Sequence, residues 1–354
     1  MFAITRLASG LVSGKLVERF GERFVLGTGL FMVAFFVFLT GLAQSYEQLL
    51  LLRAAGGLGS SMFSVASSSL VIRMTSDDKR GRAQSVTTGG FLVGGIAGPA
   101  FGGALIAFSP RAPFFIYSVT LTLAGLTGLI FLSEQRMGKK DEPIHLLPAT
   151  TIREAIGIKA FRYALIMTFL TSWILFGVRS SILPLYVIQD LGGTTTLVGI
   201  GFTVSALAQG LILIRAGKFS DSAGRKKALS IGFIFIACGI TTLILAQSIW
   251  FYLVAMLFLG VGGAYGNTGA ALVGDVIKGR SGRVIAVFQM AGDAGMMVGP
   301  ILLGFVSDLS NYRTSLIVSA LAFSVALFLV IDLPETRDLQ NKSGSAPRIG
   351  EEPL

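Results

Sequence analysis

Apolar runs of about twenty residues, the length needed to cross the hydrocarbon of a bilayer, recur along the chain with short polar breaks. They lie near residues 24–43, 48–73, 83–108, 113–133, 161–188, 195–216, 228–247, 249–276, 284–307 and 312–332. A shorter run opens the chain at 1–17. Lipid offers no partner for open backbone groups, and the alternation of a barrel strand is absent, so each run is predicted to be a helix. The pattern therefore predicts an all-α membrane protein with about eleven transmembrane helices.

The polar breaks alternate in character. Those near 18–23, 74–82, 134–160, 217–227 and 278–283, with the tail after 333, hold nearly all the Lys and Arg. The intervening breaks contain only Arg111 and Arg313. Of the 29 basic residues, four (Arg6, Arg53, Arg179, Arg215) fall within helices, which leaves 23 on the first side. Cytoplasmic loops carry such an excess, so that side is expected to face the cytoplasm, with the C-terminus inside. The expected location is the plasma (inner) membrane.

Composition agrees. The chain of 354 residues is 53% hydrophobic and 14% charged, with a mean hydropathy of +0.74, whereas soluble domains carry about 25% charged residues. A net charge of +10 raises nucleic-acid binding, but the charges form short clusters between apolar runs rather than a basic stripe with interleaved aromatics. No nucleic-acid partner is expected. The single cysteine, Cys238, excludes a disulfide framework. His145, the only histidine, has no second His and no Cys near it in the chain and is read as a solvated loop residue, so no metal site and no cofactor are expected. No Ser/His/Asp constellation or nucleotide loop is present, and the chain is not read as an enzyme.

The chain also repeats itself. "GKLVERFGERF" at 14–24 parallels "GKFSDSAGRKK" at 217–227, an offset of 203. "GRAQSVTTGGFLVGGIAGPAFGG" at 81–103 parallels "GRVIAVFQMAGDAGMMVGPILLG" at 282–304, an offset of 201. Two related halves flanking a central polar stretch is the layout of transporters built from structural repeats. The expected organisation is an N-terminal bundle at 1–133, a cytoplasmic linker at 134–160, a C-terminal bundle at 161–333 and a tail at 334–354.

These motifs resemble the major facilitator superfamily over essentially the whole chain. "GKFSDSAGRKK" is similar to its loop signature G-x-x-x-D-x-x-G-R-K-K, with Ser222 where a basic residue is usual. The first-half copy, with Gly14, Glu18, Arg19 and Gly21, departs further, having Glu18 for Asp and "GERF" for G-R-K-K. The resemblance implies that Gly217 lets helices approach and that Asp221 caps the next helix and pairs with the neighbouring bundle. It also implies that Gly224, Arg225 and Lys226 hold the cytoplasmic face. "RAAGGLG", with Arg53, Gly57 and Gly59, is similar to the helix 4 signature. "GGIAGPAFGG", with Gly94, Gly98, Pro99, Gly102 and Gly103, matches a helix 5 signature associated with antiporters, and Gly299 and Pro300 echo it in the second half. "LPETR" at 333–337 resembles the ending after helix 12. These implied roles are conformational: glycine and proline bend helices and leave small-residue seams.

The family has twelve helices. Aligned at an offset of 203, Met1 falls opposite Val204, so the counterpart of the helix at 161–188 is expected to be absent, with roughly 45 N-terminal residues unrepresented. The fold expectation is a major facilitator fold of two pseudo-symmetric bundles, with about eleven helices of twelve.

Ionisable groups within spanning helices are functional candidates. Asp293 is the one carboxylate deep in a helix, ten residues past Arg283 and about 15 Å from the basic edge. Arg6 precedes Gly14 by eight residues, about 12 Å from that edge. The depths match, and the resemblance implies that these two helices face each other across the two halves. An Arg6–Asp293 ion pair is therefore expected, which would hold one access state until Asp293 is protonated or displaced. The alternative is Asp293 satisfied by local backbone and Gln289. The resemblance implies that the helix at 161–188 lines the central cavity, so Arg179, with Trp173, Phe176, Tyr265 and Asn267, is expected at a substrate site. For Arg53 it implies stabilising that site or tuning proton transfer, the alternative being snorkelling to the interface.

The resulting expectation is a transporter working by alternating access, exporting a small amphiphilic molecule in exchange for protons, with the lipid bilayer as surroundings and a monomer as the unit. Facilitated movement or symport of an anionic or polar metabolite is the alternative, and a truncated, non-transporting membrane protein is another. The orientation is testable once Cys238 is replaced. A membrane-impermeant thiol reagent is expected to label Ser222→Cys in inside-out vesicles and to spare it in intact cells; labelling of intact cells would reverse the topology.

Overall fold

The computed structural model describes residues 1–76, 79–106, 108–132, 149–266, 268–277 and 281–336. His145, Asn267, residues 134–148 of the linker and 337–354 of the tail lie outside them, as do the side chains of Pro99, Gly102 and Gly103. The N-terminal bundle comprises α1 (Phe2–Phe20), α2 (Glu22–Leu42), α3 (Tyr46–Met74), α4 (Arg80–Ile106) and α5 (Ala112–Phe131). A short helix, α6 (Ile152–Gly157), leads into the C-terminal bundle. There α7 (Lys159–Ser172), a π-helical segment (Trp173–Ile182) and α8 (Leu183–Gln189) form one rod, followed by α9 (Thr195–Ala223) and α10 (Arg225–Ile244). Next come α11 (Ile249–Gly266) and α12 (Thr268–Val276) as another rod, then α13 (Gly282–Leu309) and α14 (Tyr312–Ile331). Among the described residues eleven long rods thus stand where the hydropathy pattern places them. Nine of the described helices are long and apolar enough to cross a membrane.

Local signals set the boundaries. At the end of the molecule opposite the basic loops, hydroxyl and amide side chains cap the helix starts. Ser45 Oγ accepts from Gln48 N at 3.2 Å, Thr194 Oγ1 from Leu197 N at 3.3 Å and Asn311 Oδ1 from Thr314 N at 2.8 Å. These groups satisfy amides that a helix start leaves open. At the basic end the corners between α1 and α2 and between α9 and α10 turn at Gly21 (φ 83°) and Gly224 (φ 106°). A side chain is strained at such angles, which explains why both copies of the loop motif keep this glycine.

Packing follows the lipid solvent. Large apolar side chains such as Phe35, Leu211, Phe305, Phe328 and Ile331 are exposed on the perimeter. Inside the C-terminal bundle Phe161, Tyr186, Phe233, Tyr252 and Phe323 are fully buried, and Phe233 meets Phe323 edge-on with centroids 5.4 Å apart. Packing continues past residue 333: Leu333 and Thr336 are 1% and 0% exposed, so the segment expected to begin a tail is still part of the bundle.

The two copies of the Gly-Pro cluster behave differently, which corrects the expectation of a shared seam. In α13, a Cβ built on Gly299 would lie 3.2 Å from Trp173 Cα, and one on Gly295 would overlap the Phe169 carbonyl oxygen. In α4, Gly94 and Gly98 meet nothing within 4 Å. The seam in α13 has the rod Lys159–Gln189 against it, whereas the equivalent face of α4 is open. Gly295→Ala is therefore expected to destabilise the protein by about 1–3 kcal/mol through overpacking. Gly94→Ala should leave stability unchanged or raise it by up to about 1 kcal/mol through helix propensity. Thermal unfolding in detergent distinguishes them, and equal losses would contradict the packing described.

Candidate functional site: the contacts between the two bundles

Across the bundles α1 packs on α13 and α4 on α9. Each crossing is closest at the basic end, where glycine meets glycine. A Cβ on Gly14 would sit 2.7 Å from Arg283 Cα and 2.8 Å from Gly282 O, and one on Gly217 would sit 2.7 Å from Gly81 O. Absence of side chains brings the backbones into contact. Further along, Gly210 still approaches Leu92 at 3.4 Å, but Gly90, Gly94, Gly95 and Gly98 of α4 and Gly199 of α9 face open space. The halves are thus closed at the basic end and separate toward the other along this crossing.

Each glycine pair carries a carboxylate one turn further on. Asp221 Oδ1 accepts from Gly81 N at 2.7 Å and Oδ2 from Arg82 N at 3.0 Å. Glu18, its counterpart, accepts from Arg283 N at 3.0 Å and from Arg283 Nε at 2.7 Å. Both carboxylates sit on the first amides of a helix in the opposite bundle, where open N–H groups and the helix dipole favour negative charge. Asp221 does not cap the helix that follows it: the N-cap of α10 is Gly224, with no side-chain cap. Glu335 takes that place, accepting from Arg225 N at 2.8 Å and Lys226 N at 3.1 Å.

Behind Asp221 lies a buried network. Arg225, 2% exposed, donates to Asp221 Oδ1 at 2.6 Å, Ser220 Oγ at 2.9 Å and Asp275 Oδ2 at 2.9 Å. Asp275 also accepts from Arg80 of the other bundle at 3.1 Å and from Thr336 Oγ1 at 3.2 Å. The first half holds a smaller version of reversed polarity. There Glu22 accepts from Arg73 at 2.5 Å and from Ser69 Oγ at 3.1 Å. Arg19, by contrast, is exposed and lies over the Phe20 ring at 5.3 Å. Outside the spans, Asp332 accepts from Lys159 Nζ at 2.7 Å and from Tyr163 Oη at 2.6 Å. The hydrogen bond from Lys159, then that from Tyr163, holds the Asp332 carboxyl below its ordinary value. Its tether is therefore present at neutral pH and is lost as the pH falls through that lowered value.

Deeper in the same interface, Arg6 Nε donates to Asp293 Oδ1 at 2.8 Å and Arg6 Nη1 to Ser60 Oγ at 3.1 Å. Asp293 is 7% exposed. Gln289 does not serve Asp293; its amide donates to Ser68 Oγ at 2.6 Å and to Ser64 O at 3.4 Å, one turn toward the basic end. Two rungs of polar contact thus join α13 to the N-terminal bundle.

The residues expected at a cavity are dispersed. Trp173 is buried within the C-terminal bundle, its indole donating to Ser319 Oγ at 3.1 Å; this is core packing rather than a cavity wall. Tyr265 sits edge-on to Phe219, centroids 6.3 Å apart, toward the basic half. Phe176 is half-buried. Arg53 is exposed beside the Phe2 ring at 5.3 Å. Arg179 lies over the Phe202 ring at 5.6 Å. Glu22, Arg73, Asp275, Glu335 and Phe202 were not singled out by the sequence; for Glu335 the "LPETR" match was the available signal, and Gln289 was expected at Asp293 rather than at Ser68.

Removing the charge of Asp221 is expected to loosen the closed end, since breaking one partner out of a buried pair costs about 3–5 kcal/mol. Spin labels on the exposed Lys15 and Lys227 should report a longer distance in Asp221→Asn and in Gly217→Val than in the parent. An unchanged distance distribution in both would show that these contacts do not hold the end shut.

Comparisons with known proteins agree with this architecture. A profile of the Major Facilitator Superfamily matches residues 1–187 and 164–351. The chain is 27% identical over 340 residues to multidrug resistance protein MdtG of Dickeya zeae, covering 93% of this chain and 82% of that protein. It is 29% identical over 344 residues to MdtG of Citrobacter koseri, covering 94% and 82%. Among solved structures it is similar to the human organic anion transporter MFSD10, at a TM-score of 0.78 and 16% identity over 93% of this chain and 82% of that one. The proton:xylose symporter XylE follows at a TM-score of 0.74 and 16% identity, covering 96% and 87%. With a duplicated helical fold, paired glycine crossings and a profile match over nearly its whole length, the chain belongs to the Major Facilitator Superfamily and is a membrane transporter.

Proposed function

We propose that the transporter exports a small amphiphilic molecule in exchange for protons, with Asp293 as the proton-binding group. The observation that carries this reading is the Arg6–Asp293 pair, at 2.8 Å and bridging the two bundles. The basic end is read as cytoplasmic because loops rich in Lys and Arg remain on that side. The state described is then closed to the cytoplasm and parts on the outer side. The similarity to MdtG, a multidrug resistance protein by name, supports efflux of a drug-like compound. Location in the inner membrane and action as a monomer belong to the same proposal.

The cycle follows from the pair. With Asp293 ionised, Arg6 has its counter-charge and the cytoplasmic end is held shut. A proton arriving from the outer side neutralises Asp293 and leaves the guanidinium with Ser60 alone. A charge so exposed to low dielectric favours the rearrangement that opens the cytoplasmic end. Losing about 3 kcal/mol from the closed state moves the population by about two orders of magnitude. Proton release inside restores the pair after substrate has bound. Asp221, Arg225 and Glu18 set how much energy closure stores, and Gly14 and Gly217 set how closely the bundles meet.

Asp293→Asn is expected to abolish substrate accumulation driven by a pH gradient in reconstituted vesicles and to favour the cytoplasm-open state. Arg6→Gln is expected to shift the same equilibrium. Undiminished pH-driven transport by Asp293→Asn would overturn the proton role. Symport or facilitated movement of an anionic or polar metabolite is a second reading, favoured by Arg6, Arg53 and Arg179 outnumbering Asp293 within the spans. Under exchange, substrate added to one side releases protons to that side; under symport it removes them.

A further inference from the structure

An arginine in the apolar slab needs a counter-charge, a cavity or a reach to the interface. Arg6 has Asp293 and Ser60. Arg53 and Arg215 are exposed and lie within about 12 Å of their helix ends, a distance that a long side chain can snorkel. Arg179 is different. It is half-buried, ten residues before Gln189 and therefore about 15 Å from the nearer helix end. Among the described residues its N–H groups meet no acceptor and no carboxylate; its neighbour is the ring of Phe202 at 5.6 Å. The nearby Tyr252 donates its hydroxyl hydrogen to Val198 O at 2.9 Å.

The backbone there is unusual too. Arg179 sits in the π-helical segment Trp173–Ile182, and Ser180 Oγ donates five residues back to Leu175 O at 3.0 Å. Such widened turns are rare and recur at functional sites. Gly177, two residues before Arg179, packs on Gly299 of α13 with a built Cβ 3.0 Å from its Cα. Two residues along a helix is about half a turn, so Arg179 projects away from that seam, toward α9. Phe176, half-buried, lies three residues earlier on the same rod.

We propose that Arg179 is the anion-recognition residue of the substrate site. The transported molecule would then be an amphiphile carrying a carboxylate or a comparable oxyanion beside an apolar, preferably aromatic, body. A planar guanidinium presents two parallel N–H donors to a carboxylate. The Phe202 ring lies against the guanidinium and offers a face for the apolar part. Water hydrates the guanidinium when no substrate is bound, and the substrate oxyanion replaces that water. This inference rests on the transport reading but is separable from proton coupling, because it concerns binding alone.

The test measures binding of a fluorescent aryl carboxylate and its methyl ester to the full chain in nanodiscs of zwitterionic lipid. The acid is expected to bind the parent roughly 10- to 100-fold more tightly than the ester. Arg179→Gln should remove that preference while keeping ester affinity, which also shows that the variant is folded. Arg179→Lys should retain part of it, since a point charge lacks the paired donors. Equal affinities for acid and ester in the parent, or a preference that survives Arg179→Gln, would overturn the proposal. A last arm adds anionic phospholipid: displacement of the acid that depends on Arg179 would assign the guanidinium to a lipid headgroup and overturn the substrate role. Failure of pH-driven transport with an intact acid preference would instead count against Asp293 alone.

Discussion

A carboxylate set against the first amides of a helix in the other bundle is the interaction on which this molecule depends. Asp221 does this to Gly81 and Arg82, and Glu18 to Arg283. The contact is strong because a helix start offers unpaired donors and a favourable dipole. It is also brittle, because the donors are aligned only when the bundles touch. The adjoining glycines, Gly14 against Gly282 and Gly217 against Gly81, make the touch close enough for the hydrogen bonds to form. A surface built in this way is either docked or released, with little in between.

The deeper rungs add a chemical input to that mechanical latch. Arg6–Asp293 and Gln289–Ser68 lie along the α1, α3 and α13 interface, so the same docking that seats Glu18 on Arg283 also seats a titratable pair. In the proposed cycle, a proton on this single carboxyl would thereby act on the separation of the backbones further along the same interface. The tail segment contributes from the other side: Glu335 and Thr336 hydrogen-bond to the start of α10 and to Asp275, which ties the network behind Asp221 to the end of the chain's last helix.

Much of this was legible in the sequence, for identifiable reasons. Hydrophobic run length located the helices because lipid leaves the chain no other option. Gly21 and Gly224 stand out because only glycine suits those corners, and the shared depth of Arg6 and Asp293 follows from helix rise alone. Legibility failed wherever the direction of a side chain decided the outcome. Trp173 and Phe176 share a rod, yet one is core and the other half-buried, because a π-helical turn changes the angular spacing that a regular helix would impose. Asp275 and Glu335 were passed over because their partners lie 50 and 110 residues away in the chain. The openness of Gly94 beside the closeness of Gly299 is set by what packs against each face, which a shared motif does not encode.

The reversed polarity of the two inner corners has a consequence for assembly. Glu22 opens α2 and meets Arg73, the penultimate residue of α3; Arg225 opens α10 and meets Asp275, the penultimate residue of α12. Duplicated halves inserted in succession into one membrane present near-identical hairpins, and each hairpin finds a rival partner in its twin. Were α2 to settle beside α12, Glu22 would confront Asp275, and α10 beside α3 would set Arg225 against Arg73. Like charges buried against one another repel, so each corner disfavours the wrong mate and sorts the twins as they come to rest.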